Sequence, residues 1–166
     1  MKTRIKKQNG YGLIEMVIGL ALTGILATGI TTFTVQTITE STRSNNHMQA
    51  MMQLENAGFW ISRDVQMSGN ITLGPDAGFP LQLTREDADL NEYQVTFTLA
   101  ENRIQRSQIK NGGAPTQTLI AENINPAPSL TNISYSGDLL LFNVTSTFGN
   151  KDTSRSYQIK KRLDME

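Results

Sequence analysis

A run of 24 residues without one ionisable side chain, Met16 to Thr39, constrains this 166-residue chain more than any other feature. Residues 13–30 read LIEMVIGLALTGILATGI. As a helix rising ~1.5 Å per residue, that stretch is about 27 Å long, close to the hydrocarbon thickness of a bilayer. Lys2, Arg4, Lys6 and Lys7 precede it with no acid among them, and no base comes after it until Arg43. Positive charge on one side sets orientation, with the N-terminus in the cytoplasm and the bulk of the chain outside. A secretory signal peptide would need a small-residue cleavage site after the apolar core, and Leu26-Ala27-Thr28-Gly29 would have to serve. The residues after that site are still mostly apolar, however, and Glu15 sits inside the apolar run. An ionised, unpaired carboxylate in lipid is costly, so a residue of this kind is functional by default and needs a partner.

The residues around Glu15 make a specific pattern. Asn9-Gly10-Tyr11-Gly12-Leu13-Ile14-Glu15-Met16 resembles the prepilin processing site of type IV pilins and type II secretion pseudopilins. The resemblance implies a basic leader, residues 1–10, cut after Gly10 by prepilin peptidase. It implies N-methylation of the new terminus at Tyr11, an aromatic residue where the family usually has Phe. It also implies that Glu15 neutralises the Tyr11 amine of a neighbouring subunit during filament assembly. Cleavage on the cytoplasmic side leaves the apolar segment in the mature protein. The implied partners are other pilins or pseudopilins, prepilin peptidase, the inner-membrane assembly platform, and membrane lipid before assembly. The implied location is the cytoplasmic membrane, single-pass, and then an extracellular or periplasmic filament.

Gly12, Gly19, Gly24 and Gly29 lie in the same segment, where small residues permit close helix approach. Many pilins carry a helix-breaking Pro where this chain has Thr32, which implies a straighter helix here. Between Gly29 and Gly58 there is no Gly or Pro, so the helix is expected to run on past the membrane. Met51, Leu54, Gly58, Ile61 and Val65 step by three and four and form one face. Ser68-Gly69-Asn70 supplies a stop. A Met-rich stripe with Phe59 and Trp60 is assigned to core packing rather than to a cofactor box.

Beyond Ile71 the pattern changes. Gly74, Pro75, Gly78 and Pro80 read as a loop over 72–80. Tyr93, Val95, Phe97 and Leu99 alternate with polar residues as a half-buried strand. Glu101-Asn102 turns it into a strand near Arg103–Ile109, and Thr118–Ala121 is a short strand. Leu130–Tyr135 and Leu139–Phe148 form a hairpin, and a last strand covers Arg155–Leu163. The expected fold is α+β: a long N-terminal helix, apolar then amphipathic, packed on a C-terminal antiparallel β-sheet domain. Four segments result: leader 1–10, membrane or filament-core helix 11–39, amphipathic continuation 40–70 and β-rich domain 71–166. The segment Leu54–Asp64 and the long Cys-free β region resemble the W-type minor pilins and J-type minor pseudopilins.

Enzymatic chemistry finds little footing. With 15 basic and 15 acidic residues the chain has no net charge, so it is not a globally basic nucleic-acid binder. Zero Cys and a single His, His47, exclude thiol catalysis and a His/Cys zinc cluster. No phosphate loop or nucleophile elbow is present. Asp87, Asp89 and Asn91 begin like a Ca²⁺ loop, but Glu92 stands where such a loop needs Gly and Thr98 where it needs Glu. An acidic turn is the preferred reading, with Ca²⁺ as a weak alternative. Lys160-Lys161-Arg162 reads as a charged, solvated strand edge. The function expected is therefore a minor pilin or pseudopilin, a structural subunit of a type IV pilus or of a type II secretion pseudopilus tip. The competitor from another class is an unprocessed, membrane-anchored extracytoplasmic binding domain.

Overall fold

The structure is a computed structural model that describes residues 12–149 and 151–162. One uninterrupted helix, α1 (Leu13–Gln66), is followed by eight strands. These are β1 (Asn70–Gly74), β2 (Gly78–Glu86), β3 (Glu92–Ala100), β4 (Arg103–Lys110), β5 (Thr116–Ala121), β6 (Asn132–Ser136), β7 (Leu139–Phe148) and β8 (Lys151–Lys160). The order, helix first and antiparallel strands after, is the expected α+β arrangement. The chain divides into two compact units, Met1–Ser44 and Asn45–Glu166.

In the second unit the strands form two sheets rather than one: five strands in the order β1-β2-β3-β4-β5, and three in the order β6-β7-β8. Every neighbouring pair is antiparallel. The alternation of Tyr93–Leu99 holds, with Val95 and Phe97 buried and Tyr93 and Leu99 half-buried. Glu101 and Asn102 both take positive φ, 50° and 59°, the geometry a tight β-hairpin demands.

The 72–80 loop is corrected by the structure. Asn70–Gly74 and Gly78–Glu86 are paired strands, and only the tight turn between them is irregular. Pro80 sits near the start of β2, where the ladder is bulged between Leu73 and Gly74 and a missing N–H is tolerated. Gly78, at φ 90°, brings the sheets together: Ile133 N–H donates to Ala77 O at 2.8 Å, and a Cβ on Gly78 would overlap the Ile133 backbone. The last strand also begins earlier than expected, at Lys151 instead of Arg155.

The second half of α1 docks through Ala50, Leu54, Ala57, Gly58, Ile61 and Val65, all buried against β-residues such as Leu81, Phe97, Ile104, Ile120 and Phe142. Fully burying a large aliphatic side chain contributes about 1.5–3 kcal/mol, so this stripe, not helix propensity, holds the helix in place. Met51, expected in the stripe, is only half-buried. β8 lies along the helix. The Tyr157 hydroxyl donates to Leu54 O at 2.9 Å, its ring stacks on Phe142 at 5.9 Å, and a Cβ on Gly58 would overlap that ring. Arg155 pairs with Glu55, and the Lys161 ammonium donates to Gly69 O just past the helix end. One member of the basic C-terminal cluster is thus an anchor rather than a solvated charge.

Candidate functional site

The head of α1 is built around Gly12 and Glu15. Gly12 O accepts the Glu15 N–H at 2.9 Å and the Met16 N–H at 3.4 Å, so the first turn closes on it. The Gly12 N–H in turn donates to Glu15 Oε2 at 3.3 Å. A carboxylate three residues into a helix reaching back to the cap residue is half of a capping box, and its charge faces the positive end of the helix dipole. Glu15 therefore has a local acceptor role in the single chain. The side chains around it are apolar and exposed: Leu13 is 84% and Ile14 73% accessible. Gly10 and Tyr11 lie outside the described residues.

The rest of the first unit is a helix that has covered none of its apolar surface. Its apolar stretch is long and apolar enough to cross a membrane, and none of it is buried. The threonines fit the same surroundings. Thr23, Thr28, Thr31, Thr32, Thr34, Thr37, Thr39 and Thr42 each return the hydroxyl to the carbonyl four residues earlier, at 2.5–3.0 Å. A hydroxyl satisfied inside its own helix needs neither water nor a partner. The Thr-rich stretch is polar in composition but not in its demand for solvent. Around Gly19, Gly24 and Gly29 there is open space in the single chain, where another backbone can approach.

In the β-rich unit, Asp87 and Asn91 make hydrogen bonds within the chain. Asp87 Oδ1 accepts the Asn91 N–H at 2.9 Å and the Asp89 N–H at 3.0 Å, and Asn91 Nδ2 donates to both carboxylate oxygens at 3.0 Å. These bonds, the Asn91 N–H first, hold the Asp87 carboxyl below the usual carboxylate range. Asn91 Oδ1 accepts from Asn111 Nδ2 at 2.8 Å, so this turn is tied to the β4–β5 loop. Both Asp87 carboxylate oxygens and the Asn91 amide oxygen thus accept from the chain's own amides. Among the described residues no three His, Asp or Glu side chains gather in a metal-holding group. His47 is exposed and its Nδ1 lies 3.3 Å from Thr153 Oγ1.

Two features escape a reading of the sequence. The first is a buried ion pair: Arg106 Nε donates to Asp64 Oδ2 at 2.5 Å, with both side chains almost wholly buried. Arg63 Nη2 approaches Asp64 Oδ1 at 3.3 Å, Arg106 Nη2 donates to Gln108 at 2.7 Å, and both guanidiniums lie over the Trp60 ring. A signal existed, since Asp64 falls three residues after Ile61 on the docking face, where an acid requires a buried cation. The second corrects the assignment of the Met-rich stripe to the core. Trp60 and Met51 do pack against the core, but Phe59, Met48 and Met52 face outward.

No curated protein and no solved structure matches the chain. Residues 5–31 match the family model of the prokaryotic N-terminal methylation motif. That span takes in Lys6, Lys7, Gly10, Tyr11, Glu15 and the apolar start of α1. The matched motif, followed by one long helix and then antiparallel strands, supports a kinship of this chain with the type IV pilins and pseudopilins, whose precursors prepilin peptidase processes.

Proposed function

We propose that the protein is a minor pilin or pseudopilin, a structural subunit that enters or primes a type IV pilus-like filament. Prepilin peptidase removes residues 1–10 after Gly10, and Tyr11 becomes the N-methylated terminus. Residues 11–39 hold the subunit in the cytoplasmic membrane and later in the filament core. Residues 40–70 continue that helix and carry the β-rich domain, 71–166, on the far side of the membrane. The basic residues before the span and their lack up to Arg43 support this orientation.

The observation that carries the reading is Glu15, a carboxylate at the head of a helix that is otherwise uncharged to Thr39 and whose threonine hydroxyls are satisfied internally. A simple membrane anchor gains nothing from an acid at that depth. A filament subunit needs one, because each processed terminus brings a cation into an apolar bundle. Pairing with a neighbour's Glu15 removes that cost and sets the axial register.

Intact-mass analysis of the protein from native membranes is expected to show loss of residues 1–10 and one added methyl group. Glu15→Val is expected to be cleaved and membrane-held but absent from the sheared filament fraction, since an unpaired buried charge costs about 3–5 kcal/mol. A leader retained in a host with active prepilin peptidase would refute processing. Wild-type amounts of Glu15→Val in sheared filaments would favour the anchored binding domain instead.

A further inference from the structure

A hollow of about 450 Å³ opens between the β1–β2 turn, the end of β3 and the Pro126–Pro128 segment. Pro75, Pro80, Pro126 and Pro128 line it together with Phe79 and Asp76. The ring of each proline fixes its φ, so these walls exist before any ligand arrives. The lining is poor in donors. The four prolines have no N–H, and the N–H groups of Asp76, Ala77 and Phe79 are spent on Phe79 O, Pro75 O and Asp76 O at 2.9–3.2 Å. Acceptors remain. Asp76 is exposed, and its carboxylate has no hydrogen bond or ion pair among the described residues. The Thr98 hydroxyl, also at the hollow, is likewise without a partner among them.

We propose that this hollow takes an arginine side chain presented by an extended segment of a partner protein. The inference stands apart from the assembly reading above. A donor-poor site around one negative charge calls for a cation that brings its own N–H groups. Arginine suits the apolar walls better than lysine. Its guanidinium is flat and weakly hydrated, whereas an ammonium is a compact, strongly hydrated charge. The aliphatic stem can lie along the proline rings while the head meets Asp76. The strand edge beside the carboxylate favours a peptide over free arginine. The β2–β3 ladder stops at Leu81↔Phe97, next to Pro80, so Thr98 and Leu99 have a ladder partner on the β4 side only. Both residues line the hollow, and an extended backbone can add to such an edge.

The test uses the full chain in nanodiscs of neutral lipid, with ¹³C-methyl labels on alanine and leucine. The capped tripeptide acetyl-Ala-Arg-Ala-amide is titrated in, beside its citrulline analogue, which has the same shape without the charge, and free arginine. The arginine tripeptide is expected to shift the Ala77 and Leu99 methyl signals saturably, with a Kd of about 1 mM, the scale of one anchored side chain. The citrulline tripeptide and free arginine are expected to bind about tenfold more weakly or not at all. Asp76→Asn, whose side chain supports no contact in the fold, is expected to keep the other methyl signals in place and to weaken the arginine tripeptide about tenfold. No saturable shift up to about 20 mM, or shifts spread across the domain instead of at Ala77 and Leu99, would overturn the site. Equal affinity for the citrulline tripeptide, or for Asp76→Asn, would overturn recognition by charge. Free arginine binding as tightly as the tripeptide would overturn the partner chain as the source.

Discussion

Removing Asp64 leaves the Arg106 guanidinium buried beside an apolar core, with only Gln108 and the Trp60 face for company. Breaking a buried pair from one side costs about 3–5 kcal/mol, most of it the uncompensated charge. For a unit the size of residues 45–166, 1 kcal/mol shifts Tm by about 4 °C, so Asp64→Leu is expected to melt roughly 12–20 °C lower. The reverse substitution is milder. In Arg106→Met the buried Asp64 carboxylate keeps Arg63 at 3.3 Å, and the Arg63 side chain is 41% exposed, so a mobile cation can move towards the charge. A loss of about 1–3 kcal/mol is expected there. With both charges gone, Asp64→Leu/Arg106→Met is expected within about 1 kcal/mol of wild type, since apolar replacement of a buried pair is often neutral. Urea unfolding of the four proteins, as soluble residues 45–166, gives the cycle directly. Additive single losses, or a coupling well under about 2 kcal/mol, would show that the pair does not join α1 to β4.

Gly58→Ala is expected to lower stability by about 1–3 kcal/mol through overlap with the Tyr157 ring, although Ala favours helix by about 1 kcal/mol. In a Tyr157→Ala background the same change is expected to be neutral or helpful, which thermal melts will show. Ile61→Asp places an unpaired charge at a fully buried docking position and is expected to leave no soluble folded 45–166 unit, read by circular dichroism. Asp87 is an acid whose folded pKa is lowered, so its contribution is present above the unfolded value of about 3.9 and is lost as pH falls through the lower folded value. Asp87→Asn is therefore expected to flatten the acid limb of stability against pH. An unchanged slope between about pH 5 and pH 2 would contradict that assignment.

The sequence by itself determined everything that depends on neighbours along the chain. The uncharged run, its basic flank and the Gly10-Tyr11…Glu15 spacing are local, and they sufficed for a helix long and apolar enough to cross a membrane and for the methylation motif. Helix periodicity likewise placed Leu54, Ile61 and Val65 on one buried face, and period-two alternation located β3. Tertiary structure decided what depends on residues far apart. Gly74, Pro75, Gly78 and Pro80 hid a hairpin because their loop propensity is local, whereas the pairing of Leu73 with Leu81 and the seat of Gly78 against Ile133 are not. Asp64 and Arg106 are 42 residues apart, and nothing in either neighbourhood names the other. The amphipathic helix carries apolar residues on two sides; periodicity picked out the docking side, but it could not say that Phe59, Met48 and Met52 lie outside the core. The sheets took the side of Leu54 and Ile61, whose side chains pack at fixed shape, and Phe59, Met48 and Met52 were left facing outward.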